Sequence, residues 1–112
     1  MDLENAKAQM RKGILEYCIL SILSKNSCYA SDIIKEMKES AIIVVEGTLY
    51  PLLTRQKNAG LLSYRWEESQ QGPPRKYYEL TELGKTYLSN LDQSWMKLVK
   101  AVNKIRKSKK LP

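Results

Sequence analysis

Apolar residues fall along this chain in three successive rhythms. Residues 7–24, KAQMRKGILEYCILSILS, carry a helical pattern that becomes almost wholly apolar from Ile14 to Leu23. That density predicts a helix buried on most of its sides, more than a surface helix of a small domain would be. KNSCYA breaks the pattern, and SDIIKEMKES over 31–40 predicts a short amphipathic helix, with Ser31 or Asp32 placed to cap it. AIIVVEG is a β-branched connector. EGTLYPLLTRQKNAG then predicts a third helix, starting at Gly47 or Thr48 and ended by Gly60 in the left-handed cap position. The rhythm next changes to a period of two. In LLSYRWEE, Leu62, Tyr64 and Trp66 alternate with Ser63, Arg65 and Glu67, which predicts a half-buried strand. SQQGPP is a turn and RKYYEL a second strand, so the two make a hairpin. Thr81 is a suitable N-cap for a long last helix reaching about Arg106.

The expected fold class is therefore mainly α with a small β-hairpin: a winged helix-turn-helix domain over 1–80, then a long C-terminal dimerisation helix and basic tail over 81–112. In this plan the third helix reads and the hairpin is the wing. The order of elements alone does not decide function, because winged helices also serve as protein-docking modules.

The third helix has an unusual surface. At about 100° per residue, Leu49, Leu52, Leu53 and Ala59 share one side, while Gly47, Pro51, Thr54 and Asn58 lie opposite with Thr48 and Arg55 at the margin. Pro51 is tolerable if it lies in the first turn, where N–H groups have no partner to lose. The slim face permits close approach, the helix N-terminus favours a phosphate or base edge, and Tyr50 and Arg55 supply longer donors. A short solvated face is the plainer alternative. Gln56 falls among the leucines, so either it is hydrogen-bonded inside or the helix is rotated. The wing reads QQGPPRKYY. Gly72, Pro73 and Pro74 stiffen its tip, and Arg75 and Lys76 follow as adjacent cations. Adjacent strand residues point to opposite faces, so both serve one ligand only near a loop edge or along a curved polyanion such as DNA. Edge-strand protection by charge is the competing explanation.

Composition sharpens the picture at a few points. The net charge of +7 over 112 residues comes from the end of the chain. From Lys97 onward there are seven basic residues and no acid, whereas the twelve basic groups of residues 1–96 balance all twelve acids. The default for such a charge run is a solvated end, so a DNA argument rests on individual positions. There is no histidine, no Cys/His cluster and no convergent carboxylate pair, which argues against an enzyme, a metal site or a cofactor. Cys18 and Cys28 read as reduced, buried thiols of a cytoplasmic protein, with a disulfide as the lesser alternative. No apolar run is long enough to cross a membrane, and MDLENAK is not a signal peptide.

The last helix spaces Leu88, Leu91, Trp95, Leu98, Val102 and Ile105 by 3, 4, 3, 4 and 3, a heptad seam. With the apolar first helix, including Ile14, it suggests helix packing between two subunits, whose symmetry would match a palindromic site.

GTLYPLLTRQKNAGLL, followed by YRWEESQQGPPRKYYELTELG, resembles the PadR family of bacterial transcriptional regulators over nearly the whole chain, and its shorter subfamily in having one helix after the wing. The resemblance implies a dimeric repressor of a two-fold operator on double-stranded DNA. It assigns Thr48, Tyr50, Pro51 and Arg55 to the reading helix and Gly72, Pro73, Arg75 and Lys76 to the wing. Gln56 and Lys57 depart from the family's usual leucine and acid. Some multidrug-responsive members hold a small aromatic effector at the dimer interface. Trp95, in QSWMKLV, matches their stacking tryptophan, and Met10, Ile14 and Val99 would stand beside it. Alternatively Trp95 only fills the seam. The competing function is a winged-helix adaptor that binds protein and no DNA.

Overall fold

The computed structural model describes residues 2–109 and contains five helices and three strands among them. Lys110 of the basic tail lies outside the described residues, as do Met1, Leu111 and Pro112. The elements are α1 (Leu3–Lys12), α2 (Leu15–Lys25), β1 (Cys28–Tyr29), α3 (Ala30–Glu39), α4 (Glu46–Asn58), β2 (Leu62–Glu67), β3 (Arg75–Leu80) and α5 (Glu82–Lys107).

The long opening helix expected over 7–24 is two helices. Glycine is a poor interior helix former, and after Gly13 the ladder tightens, with Ile14 N–H donating to the Arg11 carbonyl at 3.0 Å. The apolar run from Ile14 to Leu23 belongs to α2, which buries Leu15, Ile19, Leu20 and Leu23; α1 buries nothing in this chain. α3 starts one residue before the expected caps. Tyr29 is its N-cap residue, and Asp32 contributes by accepting the Tyr29 N–H at 3.0 Å.

The core joins α2, Ile33 and Met37 of α3, Leu49 and Leu53 of α4, and Leu62 and Tyr78 of the sheet. The hairpin pairs antiparallel from Leu62↔Leu80 to Glu67↔Arg75. A third strand, β1, adds to its other edge through Cys28↔Tyr78 and Tyr29↔Tyr77, giving the order β1-β3-β2. Two residues carry too little alternation to show as a strand in the sequence.

The connection from α4 to α5 is built on close backbone contact. Gly60, at φ +82°, follows the last turn of α4; its N–H donates to the Lys57 carbonyl and the Leu61 N–H to the Gln56 carbonyl, both at 3.0 Å. Thr81, the N-cap of α5 as expected, accepts the Gly84 N–H at 3.0 Å and donates its hydroxyl proton to the Gly60 carbonyl at 2.6 Å. Gly84 lies so near this crossing that a Cβ on it would sit 2.2 Å from the Leu61 carbonyl oxygen. From that point α5 runs 26 residues, and only Gly84 and Leu88 of it are buried.

Candidate nucleic-acid interface

α4 exposes the slim face that its sequence suggested. Gly47, Pro51, Thr54 and Asn58 are all exposed, and a Cβ placed on Gly47 would meet nothing within 4 Å. Two corrections follow from where the helix begins. With Glu46 as its first residue, Pro51 lies in the second turn and not the first, so the Gly47 carbonyl loses its i+4 donor. The start itself is the second correction: α4 begins at Glu46, before the expected Gly47 or Thr48, and so carries a carboxylate at its first position.

The buried side of α4 is Leu49, Leu53 and Gln56, with Leu52 half-buried; Ala59, expected there, is exposed because the helix has already ended. Gln56 is inside. It is 2% exposed, and its Nε2 donates to the Glu16 carbonyl of α2 at 3.0 Å. Its Oε1 is buried without a hydrogen-bond partner, a strained position for a polar atom. The Glu16 side chain meanwhile pairs with Arg55 at 3.2 Å, so α2 holds α4 through both groups.

The flanks of the bare face point in different directions. Thr48 lies toward α1 and the connector, beside Lys12 and Val45. Arg55 is on that same flank, held by Glu16. Tyr50 and Lys57 flank the other side, toward the sheet, where the Lys57 ammonium lies 5.9 Å from the Tyr64 ring centre.

On the wing, Gly72 at φ +119° and Pro73 form the exposed tip. Arg75 and Lys76 take opposite faces of β3. The Arg75 guanidinium stacks 3.9 Å from the Tyr29 ring centre, and the Lys76 ammonium lies 4.5 Å from that of Tyr64 and 5.5 Å from that of Trp66. Because they stand at the first residues of the strand, both still border the cleft between the wing and Tyr50 of α4. The expected burial of Trp66 is corrected. The alternation assigns it to the face of Leu62 and Tyr64, but that face outruns the core, and the indole is 62% exposed.

A second region gathers at the other end of the chain. α1, the α1–α2 junction and α5 bring Met10, Ile14, Trp95 and Val99 into one open apolar groove of about 490 Å³, bordered by Leu98 and Val102. Trp95 also packs 6.0 Å from Tyr17, whose hydroxyl donates to the Asp92 carboxylate at 2.5 Å. That hydrogen bond, ahead of burial, pushes the Tyr17 phenol up to about 12. Along the heptad seam, Leu88 and Leu91 pack on the chain's own core, while Leu98 is 57% and Ile105 75% exposed.

Three core helices with a cationic hairpin beside the last of them define a winged helix-turn-helix domain, the architecture of DNA-binding regulators. A family model described as the transcriptional regulator PadR-like family matches residues 19–90. The chain belongs to that family. Solved relatives agree over nearly full lengths. A PadR-like transcription factor of Bacteroides fragilis is 62% identical, covering 90% of this chain and 98% of its own, with a TM-score of 0.77. A PadR family transcriptional regulator of Eggerthella lenta is 29% identical, covering 95% and 93%, with a TM-score of 0.87. A PadR-like regulator of Bacillus cereus is 37% identical, covering 90% and 99%, at 0.78. The protein is thus a DNA-binding transcriptional regulator of a family whose members are not enzymes. Among the described residues no cluster of His, Cys, Asp or Glu could hold a metal ion, and no helix is long and apolar enough to cross a membrane.

Proposed function

We propose that this protein is a cytoplasmic, homodimeric repressor whose α4 and wing bind a palindromic operator and whose α1–α5 groove receives a small aromatic effector. The bare face of α4 carries the reading. A surface of Gly47, Pro51, Thr54 and Asn58 has little use in a solvated helix, yet it lets a backbone enter a major groove closely. Thr48 and Tyr50 read base edges from its two flanks, Arg55 reaches phosphate from one flank, and Gly72, Pro73, Arg75 and Lys76 follow the adjoining backbone. Residues 1–80 form the DNA-binding unit and 81–112 the dimerisation unit. The exposed seam of Trp95, Leu98, Val102 and Ile105, continued by Ile14 and Leu91, is the surface a second copy covers. An effector lodged among Met10, Ile14, Trp95 and Val99 would change the angle between α5 and α2, and the Tyr17–Asp92 bond would carry that change to the reading unit.

Selection of binding sites from random duplex DNA tests this reading. The expected product is a two-fold symmetric sequence with half-sites about one or two helical turns apart. No enrichment would reject it in favour of a protein-binding adaptor. Titration with flat aromatic cations should quench tryptophan emission and release the duplex; unchanged emission and melting temperature would remove the effector from the scheme.

A further inference from the structure

We propose that Trp66 is a DNA-contacting residue: the cleft between the wing and the start of α4 seats one strand of the duplex, with the indole packed against a deoxyribose. This rests on the DNA-binding reading above and adds to it a residue that neither the alternation nor the wing motif singled out.

The argument begins with an exposed indole. Leu62, Tyr64 and Tyr78 share its face of the sheet and lie in or against the core, whereas Trp66 extends beyond the core into solvent. It is not loose there. Tyr64 meets it edge to face at 6.0 Å, and its cross-strand neighbour Lys76 lies 5.5 Å from the ring centre. A held, exposed aromatic surface is a binding surface more readily than a packing defect.

Its surroundings specify the ligand. The cleft holds about 380 Å³ and is bordered by Glu46 and Tyr50 from α4, by Trp66, Arg75 and Lys76 from the wing, and by buried Tyr78 at its back. Two cations flank a flat apolar wall on the wing side. The chemistry that matches is a polymer alternating anions with apolar rings, which is a sugar–phosphate backbone. Phosphates would lie at Arg75 and Lys76, and the C–H edge of a sugar on the indole face. Glu46, on the opposite wall, repels phosphate and so directs the backbone to the wing. That leaves α4 to meet base edges, where a carboxylate accepts from a cytosine amino group.

The test uses the full chain and the duplex recovered by site selection, titrated at several salt concentrations. Trp66→Ala should weaken binding about tenfold with its salt slope unchanged, and Trp66→Phe should recover part of the loss, because the lost contact is not ionic. Lys76→Ala should instead reduce the slope by about one. In a Trp95→Phe background, duplex should shield the remaining indole from acrylamide. Wild-type affinity for Trp66→Ala together with weakened Arg75→Ala would overturn the proposal while leaving the wing on DNA. Undiminished acrylamide quenching with duplex bound would overturn it as well, as would shielding by a flat aromatic cation but not by duplex. If the unaltered protein bound no duplex at all, the DNA-binding reading itself would fall. Because Trp66 is mostly exposed, its melting temperature should change little on substitution, which separates lost contact from lost fold.

Discussion

A single methyl group at Gly47 should separate the stability of this protein from its DNA binding. Gly47 is the second residue of α4, its φ is not positive, and a Cβ there meets nothing within 4 Å, including the Pro51 ring one turn on. Nothing inside the chain therefore requires glycine. Replacing glycine by alanine inside a helix stabilises by roughly 0.5–1 kcal/mol, and a first-turn position should realise about the lower figure. For a domain of this size that is a rise in Tm of about 2 °C. The opposite effect is expected on the operator. If the bare face enters a groove, the methyl group holds the backbone away from base edges and loosens the neighbouring contacts, weakening binding at least about tenfold, or about 1.4 kcal/mol. Calorimetry and fluorescence anisotropy on the same preparation read both quantities. A raised Tm with undiminished affinity would refute the reasoning, because it would show that the slim face looks into solvent when DNA is bound. A lowered Tm would refute it differently, by showing that the space beside Gly47 is already in use.

Arg75→Ala should weaken binding to all sequences alike and lower the salt slope by about one, as anisotropy at graded salt would show; an untouched slope would take the guanidinium off the phosphates. Leu98→Glu places a charge in the exposed seam and should convert the proposed dimer to monomers by light scattering, where a dimer that persisted would refute the seam. Burial pushes the Cys28 thiol up to about 11, so iodoacetamide should label it at pH 8 far more slowly in the folded chain than in urea. Its folded value stands above the ordinary 9, so the protonated thiol favours the fold. That contribution is full below about pH 9 and is lost as pH rises through about 11, so the fall in Tm over that interval should be smaller in Cys28→Ala than in the unaltered protein.

What the sequence revealed was what local chemistry decides. Gly60 ends α4 because a left-handed turn is required there, Thr81 caps α5, and the GPP turn joins two strands. Each of these can be read within five residues. Trp66 could not be, because alternation tells which face a side chain takes but not how far the core extends beneath it. The break after Lys12 was hidden for a related reason: Gly13 and Ile14 continue the apolar rhythm while changing the hydrogen-bond ladder. Gln56 offered two outcomes from its position on the wheel. Only the α2 carbonyl beside it, forty residues away in sequence, settled that it points inward. The residues proposed to read DNA were chosen from the sequence by their motif, but the division of α4 into two differently directed flanks came from its neighbours, α1 on one side and the sheet on the other.

Gly84 sits where α5 crosses the chain at Leu61, and a Cβ there would meet the Leu61 carbonyl and the Leu80 side chain at once. In the proposed dimer α5 is a rod roughly 39 Å long with a reading unit at its root. A tilt of about 5° at that root displaces the far end by about 3.4 Å, one base-pair step. In that dimer the distance between the two reading units would then be set at Gly84, at the root of α5. An inserted methyl group at position 84 would act as a wedge, and operators with altered spacing would be the ones to gain from it.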